Sequence, residues 1–141
     1  MKLELHRRYR FSAAHRLWSP RFTGTENRQL YGKCANPYGH GHNYTLDVAV
    51  TGPVDPSTGM IANLADVDAF VQREVLEVFD HRNLNTEVPA FRDRVPTAEN
   101  LCVEIFARLK RFPGARLVSV RLEETGFNSF EYQGDSQGGL S

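Results

Sequence analysis

The residues able to do chemistry in this chain crowd into one stretch. From Cys34 to Tyr44 it reads Cys-Ala-Asn-Pro-Tyr-Gly-His-Gly-His-Asn-Tyr, and this stretch holds one of the two cysteines and two of the five histidines. Imidazole nitrogens and a thiolate are donors suited to zinc. His15 offers a third imidazole. Three neutral imidazoles leave one position of a tetrahedral zinc open, which is how catalytic zinc is held. Cys34 would then close that position, giving a structural site, or stand beside it as a base. Spacing leaves both options open. A His-x-His pair by itself is also what an ordinary strand can carry.

These side chains need strands to converge. From His40 the alternate positions are His40, His42, Tyr44, Leu46, Val48 and Val50, which share one face of an extended chain. The last four are apolar or aromatic, so that face is predicted to be buried. Same-face neighbours lie roughly 6.6 Å apart along a strand, within reach of a common ion. Residues 2 to 15 alternate as well: Leu3, Leu5, Arg7, Tyr9, Phe11 and Ala13 oppose Lys2, Glu4, His6, Arg8 and Arg10. His15 continues the inner phase, whereas His6 falls on the charged face. Between the strands, Leu17 to Gly39 contains Pro20, Gly24, Gly32, Pro37 and Gly39, and is predicted to be a long loop that delivers Cys34.

Further along, the spacing predicts a helix over 64–79, capped by Asn63 with Asp66 in a box arrangement and striped by Leu64, Val67, Val71, Val75 and Val78. It ends at Asp80-His81, an acid–imidazole pair whose local explanation is a cation meeting a helix C-terminus. A loop over 85–96 leads to Thr97, predicted to cap a second helix over 98–110 with the stripe Leu101, Ile105, Leu109 and Phe112. Cys102 flanks that stripe and reads as packing. A third strand over 116–125 places Val118, Val120 and Leu122 inward, with Glu124 next in phase. A carboxylate ending an apolar face is either partnered or emerging into water. A short fourth strand spans 127–132.

The order β-β-α-α-β-β indicates an α+β fold, a four-stranded antiparallel sheet with both helices on one face. The sheet's other face cannot all meet solvent, so association into an oligomer through the sheet is expected. One domain over 1–133 is followed by a polar, glycine-rich tail, 134–141, expected to be disordered. Lys plus Arg equals Asp plus Glu at 17 each, which gives no electrostatic reason for a nucleic-acid or anionic-membrane partner. The start has no continuous apolar run, and two distant cysteines suggest free thiols, so a cytoplasmic location is expected.

Phe11-Ser12-Ala13-Ala14-His15, Gly32-Lys33-Cys34 through Gly39-His40-Gly41-His42-Asn43-Tyr44, Asp80-His81-Arg82-Asn83-Leu84, Pro96-Thr97-Ala98-Glu99-Asn100 and Glu124-Thr125 together resemble the 6-pyruvoyltetrahydropterin synthase family. The similarity runs to about Tyr132. Five residues separate Cys34 from His40, which is more similar to the 6-pyruvoyl enzymes than to the 6-carboxytetrahydropterin synthases of queuosine biosynthesis.

The resemblance implies the tunnelling fold (T-fold), with chains forming trimeric β-barrels that pair as hexamers around intersubunit active sites. It implies Zn²⁺ held by His15, His40 and His42, with Cys34 as catalytic thiolate. Asp80 and His81 would complete a relay with Cys34, supplied by a neighbouring subunit. Glu124 would anchor the pterin, with Thr97 contributing. This chain has Ala98 where the family often has a second hydroxyl, so one pterin-side bond is expected to be absent or made by backbone. Arg28 and Lys33 lie in the loop expected to meet a triphosphate. The implied activity is a lyase reaction of tetrahydrobiopterin synthesis, converting 7,8-dihydroneopterin triphosphate to 6-pyruvoyl-tetrahydropterin. Two rivals stand beside it. One is the 6-carboxy enzyme, which releases acetaldehyde. The other is a non-catalytic zinc or pterin-binding protein with Cys34 as fourth ligand.

Overall fold

Two long strands carry the predicted histidines, β1 (Glu4–His15) and β2 (His40–Thr51). They pair antiparallel over their whole length, from Glu4 opposite Thr51 to His15 opposite His40. The structure is a computed structural model and describes residues 2–135. Their alternation settles the register. Phe11, Ala13, Tyr44, Leu46, Val48 and Val50 are buried on one face, while Lys2, His6, Arg8 and Arg10 stay exposed on the other. A one-residue slip would exchange the two sets, so burial strongly specifies the pairing.

The sheet has five strands, not four, in the order β3-β1-β2-β4-β5, with β3 (Arg82–Asn83), β4 (Arg116–Thr125) and β5 (Asn128–Tyr132). It is also mixed, because β3 runs parallel to β1, opposite Ala13 and Ala14. Two residues carry no periodicity, so sequence patterning had no signal for this edge strand. A second correction concerns β4. The pairing with β2 is irregular between Ala49 and Val50, with Ser119 opposite Ala49 and Leu117 opposite Val50. Val118 is the extra residue of a bulge, and Leu117 takes the core position predicted for Val118.

The helices cover the apolar face. α2 (Leu64–Val71), a π-helical turn (Gln72–Leu76) and α3 (Glu77–Phe79) make up the predicted first helix. Asn63 caps it by accepting from the Ala65 N–H. The wide turn advances the phase, so Phe79 is fully buried where Val78 was expected. Leu64, at the start of the helix and before that turn, is exposed, contrary to the predicted stripe. α5 (Ala98–Leu109) starts at its Thr97 cap and buries Leu101, Cys102, Ile105 and Leu109. Cys102 is packed, its Sγ 3.7 Å from the carbonyl oxygens of Val120 and Phe130. Both predicted loops contain short helices. α1 (Gly24–Tyr31) and a 3-10 turn (Gly32–Ala35) precede β2, while α4 (Leu84–Glu87) and a 3-10 turn (Pro89–Phe91) precede α5. Asp68 on α2 ties the helix layer to β1, accepting from Arg7 Nε at 3.1 Å and from the Tyr9 hydroxyl at 2.6 Å. Of the expected tail, residues 136–141 lie outside the described residues. No helix among the described residues is long and apolar enough to cross a membrane.

Candidate metal centre

His15 ends β1 with its side chain completely buried. Its Nδ1 donates to the Pro96 carbonyl oxygen at 2.8 Å, which leaves the lone pair on Nε2. That Nε2 is buried and has no hydrogen-bond partner. An orphaned buried acceptor costs about 1–3 kcal/mol, so a native structure has reason to fill it. Its surroundings are groups that could hold a metal ion. Donor atoms of His15, Cys34 and His42 all lie within 4.8 Å of one another. Cys34 Sγ is 3.8 Å from His42 Nε2, and the His15 and His42 rings meet edge-on with centroids 4.8 Å apart. Burial lowers the pKa of both His15 and His42, with Glu124 opposing it, so both imidazoles are neutral at neutral pH, as ligation requires. The donor types, the free nitrogen and the carbonyl behind His15 together fit a transition-metal ion.

Backbone straps bring the thiol to the strand. The Leu17 N–H donates to the Cys34 carbonyl at 2.7 Å, and Arg16 Nε donates to the Ala35 carbonyl at 3.2 Å. Asn85 clamps the same strand end from the other side. Its Oδ1 accepts from Arg16 N at 2.7 Å, and its Nδ2 donates to Arg16 O at 2.9 Å. Gly39 closes the loop at φ +79°, where an added Cβ would stand 2.6 Å from the His15 carbonyl oxygen. Only glycine tolerates both the dihedral and the approach.

The expected site residues divide into two groups. His15, Cys34 and His42 converge. His40 is exposed at the start of β2 but directly opposite His15, its ring centroid 4.8 Å from that of His42. Glu124 joins the same face. Its Oε2 is 3.8 Å from His42 Nε2, and its Oε1 accepts from Asn128 Nδ2 at 3.2 Å. Thr97 spends its hydroxyl on the Asn100 N–H at 3.2 Å, next to the Pro96 carbonyl that fixes His15.

Asp80 and His81 lie elsewhere, at the outer edge of β1. Asp80 Oδ1 accepts from Ser12 N at 2.9 Å and lies 3.0 Å from His81 Nδ1. His81 adopts φ 59° and its side chain is 83% exposed, beside a cleft lined by Ser12, Ala14, Gly41 and Asn43. One chain therefore does not bring this pair to Cys34. Burial, and then Glu124, pushes the Cys34 thiol up, so the groups of the chain alone keep it protonated. Sequence reasoning missed the roles of Asn85, Asn128 and the Pro96 carbonyl. No local pattern announces the Asn85–Arg16 and Pro96–His15 contacts, whose partners are distant in the chain, and the Asn128–Glu124 contact depends on the turn between β4 and β5.

The family described as 6-pyruvoyl tetrahydropterin synthase matches residues 4–135. A Homo sapiens protein named 6-pyruvoyl tetrahydrobiopterin synthase is 44% identical over 133 residues, covering 94% of this chain and 92% of that one. The solved structure of Caenorhabditis elegans 6-pyruvoyl tetrahydropterin synthase superposes with a TM-score of 0.89 at 40% identity, covering 96% of this chain and 97% of that one. A protein of Archaeoglobus fulgidus with the provisional name 6-carboxy-5,6,7,8-tetrahydropterin synthase is 32% identical over 106 residues, 75% of this chain and 84% of its own.

Proposed function

The chain belongs to the 6-pyruvoyl tetrahydropterin synthase family, and we propose that it converts 7,8-dihydroneopterin triphosphate to 6-pyruvoyl-tetrahydropterin with loss of triphosphate, using zinc. The observation that carries this reading is the buried, unpartnered Nε2 of His15 aimed at Cys34 and His42. His15 and His42 would hold the ion, with His40 turning in from its exposed position opposite His15. Bound there, zinc supplies Lewis-acid stabilisation of negative charge on the substrate's side-chain oxygens. Cys34 takes the proton from the neighbouring C–H. Its Sγ lies close to His42, and its pKa, raised in the chain alone, falls beside cations. Glu124 accepts paired N–H bonds from the aminopyrimidine edge of the pterin. Thr97 contributes at that end through the helix start it caps.

Asp80 and His81 sit at the edge of β1, away from Cys34. This supports a homo-oligomer, two barrel trimers forming a hexamer, in which a second copy brings the relay to the thiol. The free thiols of Cys34 and Cys102 are consistent with a reducing, cytoplasmic setting.

The decisive test is incubation of purified protein with 7,8-dihydroneopterin triphosphate, with and without a chelator. The expected result is chelator-sensitive release of triphosphate together with the 6-pyruvoyl product. Acetaldehyde among the products would reassign the chain to the 6-carboxy chemistry. A second reading rests on the thiol's place in the cluster: Cys34 as a permanent ligand in a non-catalytic site. It predicts that Cys34→Ala loses zinc.

A further inference from the structure

β1 ends in the sheet at His15, opposite His40. Along its other edge the pairing stops sooner, because β3 offers only Arg82 and Asn83, opposite Ala13 and Ala14. On that edge the backbone of Arg16 runs on with no strand beside it, and a side chain takes the strand's place. Asn85, in the first turn of α4, accepts from Arg16 N at 2.7 Å and donates to Arg16 O at 2.9 Å. A carboxamide offers what a strand would, a carbonyl acceptor and an N–H donor side by side. Capping does not occupy this side chain, because Asn83 caps α4, accepting from Asn85 N at 3.0 Å and from Thr86 N at 3.3 Å. Nor does helix formation ask for asparagine at position 85, since alanine or glutamate would serve α4 better.

The backbone gripped in this way is the one that carries Cys34. Successive residues of an extended chain turn their backbone groups to opposite edges. Arg16 faces Asn85, and the next N–H, that of Leu17, donates to the Cys34 carbonyl at 2.7 Å. Arg16 adds its Nε, which donates to the Ala35 carbonyl at 3.2 Å. The turn that presents the thiol thus docks on two residues, and Asn85 holds one of them by both backbone groups. His15 is secured separately, by the Pro96 carbonyl and by its place opposite His40. We propose that Asn85 is a positioning residue for Cys34: standing in for a missing strand, it fixes the Arg16–Leu17 backbone on which the thiol's turn docks. That the placed thiol acts as a base rests on the function proposed above; the docking itself does not.

The test compares wild type, Asn85→Ala and Asn85→Asp, the last keeping the acceptor and losing the donor. Hydrogen exchange of the Leu17 amide, read by NMR, reports the docking without any substrate. In Asn85→Ala it should accelerate about tenfold or more, the net worth of the two lost hydrogen bonds. With substrate, kcat should fall about 10–100-fold, the cost of a displaced reacting group, while KM and zinc affinity stay within about threefold of wild type. Asn85→Asp should show smaller losses in the same two quantities, and it carries the test where the alanine variant does not fold. An unchanged Leu17 amide, a kcat equal to that of wild type, or a zinc affinity that falls in step with kcat would each overturn the proposal. So would a lowered urea midpoint with exchange and kcat unmoved, which would leave Asn85 a tie between β1 and α4. Absence of wild-type turnover would strike the functional reading alone, because the exchange comparison needs no substrate.

Discussion

The imidazole of His15 and the carbonyl of Pro96 lie 2.8 Å apart although 81 residues separate them in sequence. Through that bond the segment before α5 dictates which nitrogen of His15 is free. Replacing His15 with Ala should therefore lower zinc affinity by more than about 100-fold, beyond what loss of an outer partner costs. Titration against a competing chromogenic chelator measures this directly. Unchanged affinity would mean that the ion sits elsewhere.

Cys34→Ala separates base from ligand. The thiol lies 3.8 Å from His42 Nε2 and only half-buried, a place from which it can meet a substrate. Turnover should fall by at least about 100-fold, while zinc content, measured by elemental analysis, stays near one ion per chain.

Gly39→Ala should be among the most damaging single-methyl changes. The new Cβ would stand 2.6 Å from the His15 carbonyl at a left-handed dihedral. Strain of this kind costs about 1–3 kcal/mol. Relief would push the His40–His42 segment away from His15, so urea midpoint and zinc affinity should drop together. A variant with lowered stability but full zinc affinity would refute that coupling.

The Arg7–Asp68–Tyr9 network makes an acid-sensitive tie between β1 and α2. Hydrogen bonds from Arg7 and Tyr9 depress the Asp68 pKa below the ordinary carboxylate value. A group depressed in the folded state stabilises above its unfolded pKa and loses that contribution as pH falls through the folded value. Asp68→Asn should accordingly lower the urea midpoint at pH 7, and the gap to wild type should close toward pH 3. A gap independent of pH would assign the effect to packing.

The long strands were legible because their alternation runs unbroken for a dozen residues each, from Glu4 to His15 and from His40 to Thr51. His15, His40, His42 and Glu124 inherited their face from that alternation. α1 stayed hidden because Asn27 is its only buried residue, so it lacks an apolar stripe. The Thr23–Glu26 capping box was its one sequence mark, and the surrounding glycine and proline outweighed it. Val118 and Val78 were misassigned for a shared reason. A bulge and a wide turn each insert one residue, and a fixed period cannot anticipate an insertion. The edge position of Asp80 and His81 follows from β3, where two residues pair with β1 through tertiary contact alone.

Cys102 is 2% exposed, with a pKa pushed up to about 11, while Cys34 opens to solvent. A mild alkylating reagent applied to the folded, metal-free protein should thus consume one equivalent per chain, and a second only after denaturation. The chain thereby carries its own folding reporter. One reactive thiol per folded chain against two per denatured chain gives the folded fraction of a preparation, independently of any substrate.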